Sequence, residues 1–158
     1  MKEIDIHTSL IVYTPEELPA EEQALIEAAR QATHRSYAPY SHFSVGAAAL
    51  LADGTIVTGT NQENVAYPSG ICAERTTLFY ANSQHPDQPV KALAIAARGT
   101  DGKEVHPPIT PCGACRQVML ESENRFGTPM KILLCGVGQI YVVESARSLL
   151  PISFDSLT

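Results

Sequence analysis

Long apolar runs are missing from this chain, and no stretch approaches the roughly 20 residues that cross a bilayer as a helix. A membrane-spanning helix is therefore not expected. Basic charge is scarce as well: 11 Lys and Arg stand against 17 Asp and Glu, for a net charge of -6 and a pI of about 5.3. Such a chain carries no electrostatic footprint for a phosphate backbone, which argues against a nucleic-acid partner. Internal repeats, blocks of like charge and low-complexity segments are also lacking. With 44% hydrophobic and 18% charged residues, disorder is not expected. The opening Met1-Lys2-Glu3-Ile4-Asp5 carries acid early and has no apolar core of a signal peptide, so a cytoplasmic location is expected. Cysteine is sparse, four in 158 residues. In a reducing compartment metal binding explains four cysteines better than two disulfides do.

A chain of 158 residues supports one domain with a real core and is too short for two ordinary ones. The expectation is a single domain over 1–158, with residues 1–14 as an N-terminal extension that is extended or part of a strand. After Pro15 and Pro19, apolar Leu25, Ala28, Ala29 and Ala32 recur at helical spacing and predict a helix ending near Arg35. Residues 43–52 and 55–59 flank Asp53-Gly54, a hairpin signal. An irregular loop over 61–70 leads to a helix over 72–82, capped by Ser69 or Gly70. The apolar run 90–97 reads as a central strand. Thr110-Pro111 is a cap and first-turn pair for a helix over 112–123. Strands over 131–135 and 139–143 are separated by only three residues and must be antiparallel. The expected fold class is α/β: three layers, α/β/α, around a mixed five-stranded sheet.

The chemistry concentrates in two places. Ser69-Gly70-Ile71-Cys72-Ala73-Glu74-Arg75 and Pro111-Cys112-Gly113-Ala114-Cys115 together supply three thiols and one carboxylate, each cysteine stretch at a predicted helix start. There the free backbone N–H groups and the helix dipole favour thiolate. Three thiolates can hold zinc and leave the fourth tetrahedral position for water, and a glutamate that is not a ligand can then move protons. A structural zinc would want a fourth protein ligand, for which Cys135, His106 and Glu74 are the candidates. Cys135 lies in a predicted strand and reads as core, and His106 reads as a solvated loop residue. Glu74, on the same turn as Cys72, lies more naturally beside the metal than on it. Arg75 is the candidate donor to the ligand sulfurs, offsetting their surplus negative charge, and Gln117 a further group around them. Cys/His-x-Glu with Pro-Cys-x-x-Cys is the signature of zinc-dependent nucleobase deaminases.

The blocks Tyr37-Ala38-Pro39-Tyr40-Ser41-x-Phe43-x-Val45-Gly46-Ala47-Ala48, Asn61-x-Glu63-Asn64, Tyr67-Pro68-x-Gly70-Ile71-Cys72-Ala73-Glu74-Arg75-Thr76, Pro111-Cys112-Gly113-Ala114-Cys115-Arg116-Gln117 and Leu150-Pro151-x-x-Phe154 stand in the order found in one family. In them the chain resembles the cytidine deaminases, in their small homotetrameric branch. The resemblance implies one Zn²⁺ per subunit on Cys72, Cys112 and Cys115, with Glu74 as proton shuttle. It implies Asn61 and Glu63 on the ribose hydroxyls, Phe43 against the nucleoside, and the backbone near Ala73 on the polar edge of the base. Phe154 would reach a neighbouring subunit's site, giving a homotetramer with shared active sites.

The reaction expected from this resemblance is hydrolytic deamination of cytidine and 2′-deoxycytidine to the uracil nucleosides and ammonia, by a zinc-activated water. A carboxylate at the sugar disfavours a phosphorylated substrate through like-charge repulsion, so a nucleoside is the expected partner. Deamination of a related aminopyrimidine nucleoside is the alternative within enzymes. A zinc-stabilised module without activity is the alternative outside them.

Overall fold

A computed structural model describes residues 1–157. Its strands are β1 (Ile11–Tyr13), β2 (Ser44–Leu51), β3 (Ile56–Thr60), β4 (Val90–Arg98), β5 (Lys131–Gly136) and β6 (Gln139–Val143); its helices are α1 (Ala20–Ala32), α2 (Ala73–Gln84) and α3 (Gly113–Phe126). The sheet runs β1-β6-β5-β4-β2-β3. Only β4 and β5 are parallel, and α3 lies in the crossover between them, as a parallel pair requires.

Alternation along the strands sorts the two cores. Ala48 and Leu50 of β2, Ala92, Ala94 and Ala96 of β4, and Leu133 and Cys135 of β5 pack on Leu25, Ile26 and Ala29 of α1. Their odd and even neighbours Ala47, Ala49, Leu93, Ile95, Ile132 and Leu134 pack on Leu78 and Ala81 of α2 and Met119 of α3. The sheet is thus covered on both faces, which explains why β4 reads as an unbroken apolar run. Small residues set the spacing. A side chain at Gly46 would run into the backbone of Ala29 and Thr33, and one at Gly59 into Thr77, so α1 and α2 approach the sheet through these gaps.

The sheet has six strands, one more than expected from the sequence. Residues 11–13 pair antiparallel with β6, Ile11 opposite Val142 and Tyr13 opposite Ile140. Three residues cut short by Pro15 are too few to show a period. What makes them a strand is the otherwise unpaired edge of β6.

The helix caps also differ from expectation. Cys72 and Cys112 are themselves the N-cap residues of α2 and α3, both with extended backbone. Ser69 closes a short 3-10 turn, and Gly70 continues extended so that Ile71 can pair with Gln62. Gln62 also bridges to Tyr37, so the 61–70 segment is tied on two sides. Helix α3 ends at Gly127, whose φ of 60° is the left-handed conformation that terminates helices.

Candidate metal centre and nucleoside pocket

Helices α2 and α3 lie on the same face of the sheet and start side by side. Neither Cys72 nor Cys112 spends its side chain on capping its helix. Their sulfurs instead face each other at 4.0 Å, and with Cys115, in the first turn of α3, all three Sγ atoms lie within 4.8 Å of one another. Tetrahedral zinc with bonds of about 2.3 Å holds its sulfurs roughly 3.8 Å apart. The donor set and its spacing therefore fit one zinc ion. No other histidine, cysteine or carboxylate joins the cluster among the described residues.

The charges are arranged for thiolate. The Cys72 thiol is lowered to about 5, first by the hydrogen bond it receives from Cys115 and then by Arg75 and Cys112. Cys115 is pushed in the opposite direction, because it donates to the Cys72 sulfur and is buried. Arg75 Nη2 lies 3.6 Å from Cys72 Sγ, while Arg75 Nε is buried without a hydrogen-bond partner.

Glu74 sits between these groups, only 5% exposed. Burial raises its carboxyl above the usual carboxylate range and the Cys72 charge adds to this, against the opposing pull of its own backbone amide, the Cys115 thiol and Arg75. It touches the cluster without belonging to it. The other two candidate ligands lie elsewhere. Cys135 is fully buried on the α1 side of the sheet, pushed up to about 12 by that burial. His106 exchanges a hydrogen bond with Gln139 at 3.2 Å.

Residues 19–126 match the family described as the cytidine and deoxycytidylate deaminase zinc-binding region. The chain belongs to this family. A cytidine deaminase of Halalkalibacterium halodurans is 50% identical over 99 residues, 63% of this chain and 70% of that one. The crystal structure of a cytidine deaminase from Burkholderia pseudomallei superposes with a TM-score of 0.70 at 43% identity, over 83% of this chain and 97% of that one. One from Mycobacterium tuberculosis does so with a TM-score of 0.65 at 36% identity, over 86% and 98%. The zinc-binding region of the family coincides here with the three-thiol cluster, and no helix among the described residues is long and apolar enough to cross a membrane.

Against the cluster lies an open cavity of about 530 Å³, lined by Cys72 and Arg75 on one side and by Ser41, Asn61, Glu63 and Tyr67 on the other. Asn61 and Glu63 both line this cavity, and both are already engaged by the protein. Asn61 Oδ1 accepts from Ser36 Oγ at 2.5 Å and from Val45 N at 2.8 Å, and Asn61 Nδ2 donates to Phe43 O at 2.9 Å. One amide hydrogen is left for a ligand. Glu63 Oε2 accepts from the backbone of Tyr40 and Ser41 at 2.8 and 3.2 Å, and Oε1 from the Ser41 hydroxyl. These bonds, the Ser41 hydroxyl first, hold its carboxyl below the usual range.

Phe43 is half-buried just ahead of β2, and Ala73 is fully buried at the start of α2. Gln117 engages the C-terminal tail: its Nε2 donates to the Phe154 carbonyl at 2.7 Å. Phe154 itself is 70% exposed on the C-terminal tail, outside the cavity of its own chain. Two residues were not singled out from the sequence. Ser41 gave no signal beyond its place in a family block. Glu123, buried at 7% exposure, looked like any helix-surface acid near the end of α3.

Proposed function

We propose that this protein hydrolytically deaminates cytidine and 2′-deoxycytidine to the corresponding uracil nucleosides, releasing ammonia. The observation that carries the reading is the buried Glu74 beside a three-thiol cluster at one wall of a nucleoside-sized cavity. When bound, zinc would supply Lewis-acid activation of a water at this site. Cys72, Cys112 and Cys115 would hold the ion, and Arg75 donates to Cys72 to offset its charge. Glu74 takes a proton from that water and delivers it to N3 of the base, which makes C4 electrophilic. The water oxygen then bonds to C4, and a second proton passes through Glu74 to the amino nitrogen, whose bond to C4 breaks to release ammonia. A carboxyl raised above its usual range holds a proton more readily than an ordinary carboxylate, which suits a group that must both take and return one.

In this reading Asn61 gives its remaining amide hydrogen, and Glu63 its remaining lone pair, to the ribose hydroxyls. Phe43 packs on the nucleoside, and the backbone at Ala73 meets the edge of the base. Residues 1–158 act as one deaminase domain with 1–14 as its extension, working in the cytoplasm with one zinc per subunit. The exposed Phe154 supports a homotetramer in which the tail completes a neighbour's site. Gln117 then serves that tail, anchoring its backbone. The test is a spectrophotometric cytidine-to-uridine assay with and without a zinc chelator, alongside light scattering for the assembly. Stoichiometric zinc without turnover of cytidine or deoxycytidine would sink the reading.

A further inference from the structure

The Ser41 hydroxyl joins two segments that line the cavity from opposite sides of the chain order. It donates to Glu63 Oε1 and accepts from Phe43 N at 3.0 Å. The hydrogen bonds therefore run from the Phe43 backbone through Ser41 Oγ to the Glu63 carboxylate. The backbone N–H groups of Tyr40 and Ser41 close only Oε2. Those two bonds survive any change of side chain at 41, whereas the bond to Oε1 depends on the hydroxyl alone.

The backbone is bent to make this possible. His42 has φ 55°, a left-handed conformation uncommon for a residue with a side chain. Its N–H closes on Ala38 O at 3.0 Å, and the bend carries Phe43 N back onto Ser41 Oγ. Strained backbone of this kind persists where its surroundings over-determine it, and such places cluster at ligand sites.

A carboxylate has about four acceptor positions. Three of those on Glu63 are taken by Tyr40 and Ser41, which leaves one, on Oε1. We propose that Ser41 is a positioning residue for nucleoside binding: its hydroxyl fixes the Glu63 carboxylate so that the one free acceptor position on Oε1 meets a sugar hydroxyl, and links that geometry to Phe43. The proposal deepens the reading of Glu63 as a sugar contact and rests on it. The depressed carboxyl of Glu63 agrees with a group kept ionised and acceptor-only.

Ser41→Ala removes the hydroxyl and should raise the KM for cytidine about tenfold, the order expected for one hydrogen bond to a charged group. The kcat should stay within about threefold, because the bond is made equally in ground and transition states. Ser41→Thr keeps the hydroxyl and should return KM most of the way. With 2′,3′-dideoxycytidine, which offers Glu63 no hydroxyl on that edge of the sugar, Ser41→Ala and the parent should show the same KM. In a Glu63→Gln background Ser41→Ala should add less than about twofold. An unchanged KM in Ser41→Ala overturns the proposal. So does an equal loss on the dideoxy substrate or in the Glu63→Gln background, since that marks a purely structural role. Glu63→Gln alone reads the underlying assignment. An unchanged KM there removes the sugar contact and this proposal with it, whereas a raised KM there beside an unaffected Ser41→Ala removes the proposal alone.

Discussion

Glu74 and Glu123 are both buried carboxylates, 5% and 7% exposed, each on a helix on the same face of the sheet, and they do opposite things. Glu123 is surrounded by donors. Its oxygens accept from Met130 N at 2.7 Å, Ala146 N at 2.8 Å, Ser145 Oγ at 2.9 Å and Arg147 N at 3.2 Å. It thereby ties the end of α3 to the start of β5 and to the turn after β6. Glu74 faces mostly thiols, and its charged form is opposed by burial and by the Cys72 thiolate. Burial alone therefore does not mark a catalytic acid. What separates the two is that the Glu123 oxygens are taken up by backbone and hydroxyl donors, whereas Glu74 lies beside the thiols and Arg75.

The sharpest way to break this comparison is Glu74→Gln. It should cost at least about 10³-fold in kcat, within the usual range for a lost proton-transfer group, with zinc content and melting temperature nearly unchanged. Turnover near the parent rate would put Glu74 in the structural class with Glu123. Next in size is Cys115→Ser, which removes a thiolate from the cluster. Zinc per chain, read by elemental analysis, should fall well below one and activity should fall with it. Glu123→Gln should do the reverse of Glu74→Gln. It exchanges acceptors for donors among four N–H and O–H groups and should cost about 3 kcal/mol of stability by urea unfolding, through unmade buried hydrogen bonds. The kcat of the folded protein should stay within a few-fold. The smallest effect belongs to the fourth cysteine: Cys135→Ala should cost about 1–2 kcal/mol for a small core truncation and leave zinc at one per chain. Loss of zinc in that variant would return Cys135 to the ligand set.

Much of the site was legible before the fold was. Cys72-x-Glu74 and Cys112-x-x-Cys115 carry their chemistry in their spacing, and the glycines and prolines before them mark both helix starts. Strands β2, β4, β5 and β6 were equally plain, because each is a short apolar run bounded by turn residues. The illegible parts were those whose meaning depends on a distant partner. Residues 11–13 become a strand only beside β6. Asn61 looks like a free polar group until Ser36, Val45 and Phe43 close around it. Gln117, next to the Cys112–Cys115 block in sequence, points along α3 to the tail at Phe154.

By itself, then, the amino-acid sequence determined the donor atoms, their local spacing and the helices that carry them, because a Cys-x-x-Cys on a first turn and an apolar run between turn residues are properties of a few neighbouring residues. Tertiary structure decided which buried acid has its oxygens taken up by hydrogen bonds, which polar groups in the cavity still have a hydrogen bond to give, and that Cys72 and Cys112, forty positions apart, face each other at 4.0 Å. The physical reason is that desolvation and hydrogen-bond satisfaction are sums over everything within a few ångströms, and most of those neighbours come from elsewhere in the chain.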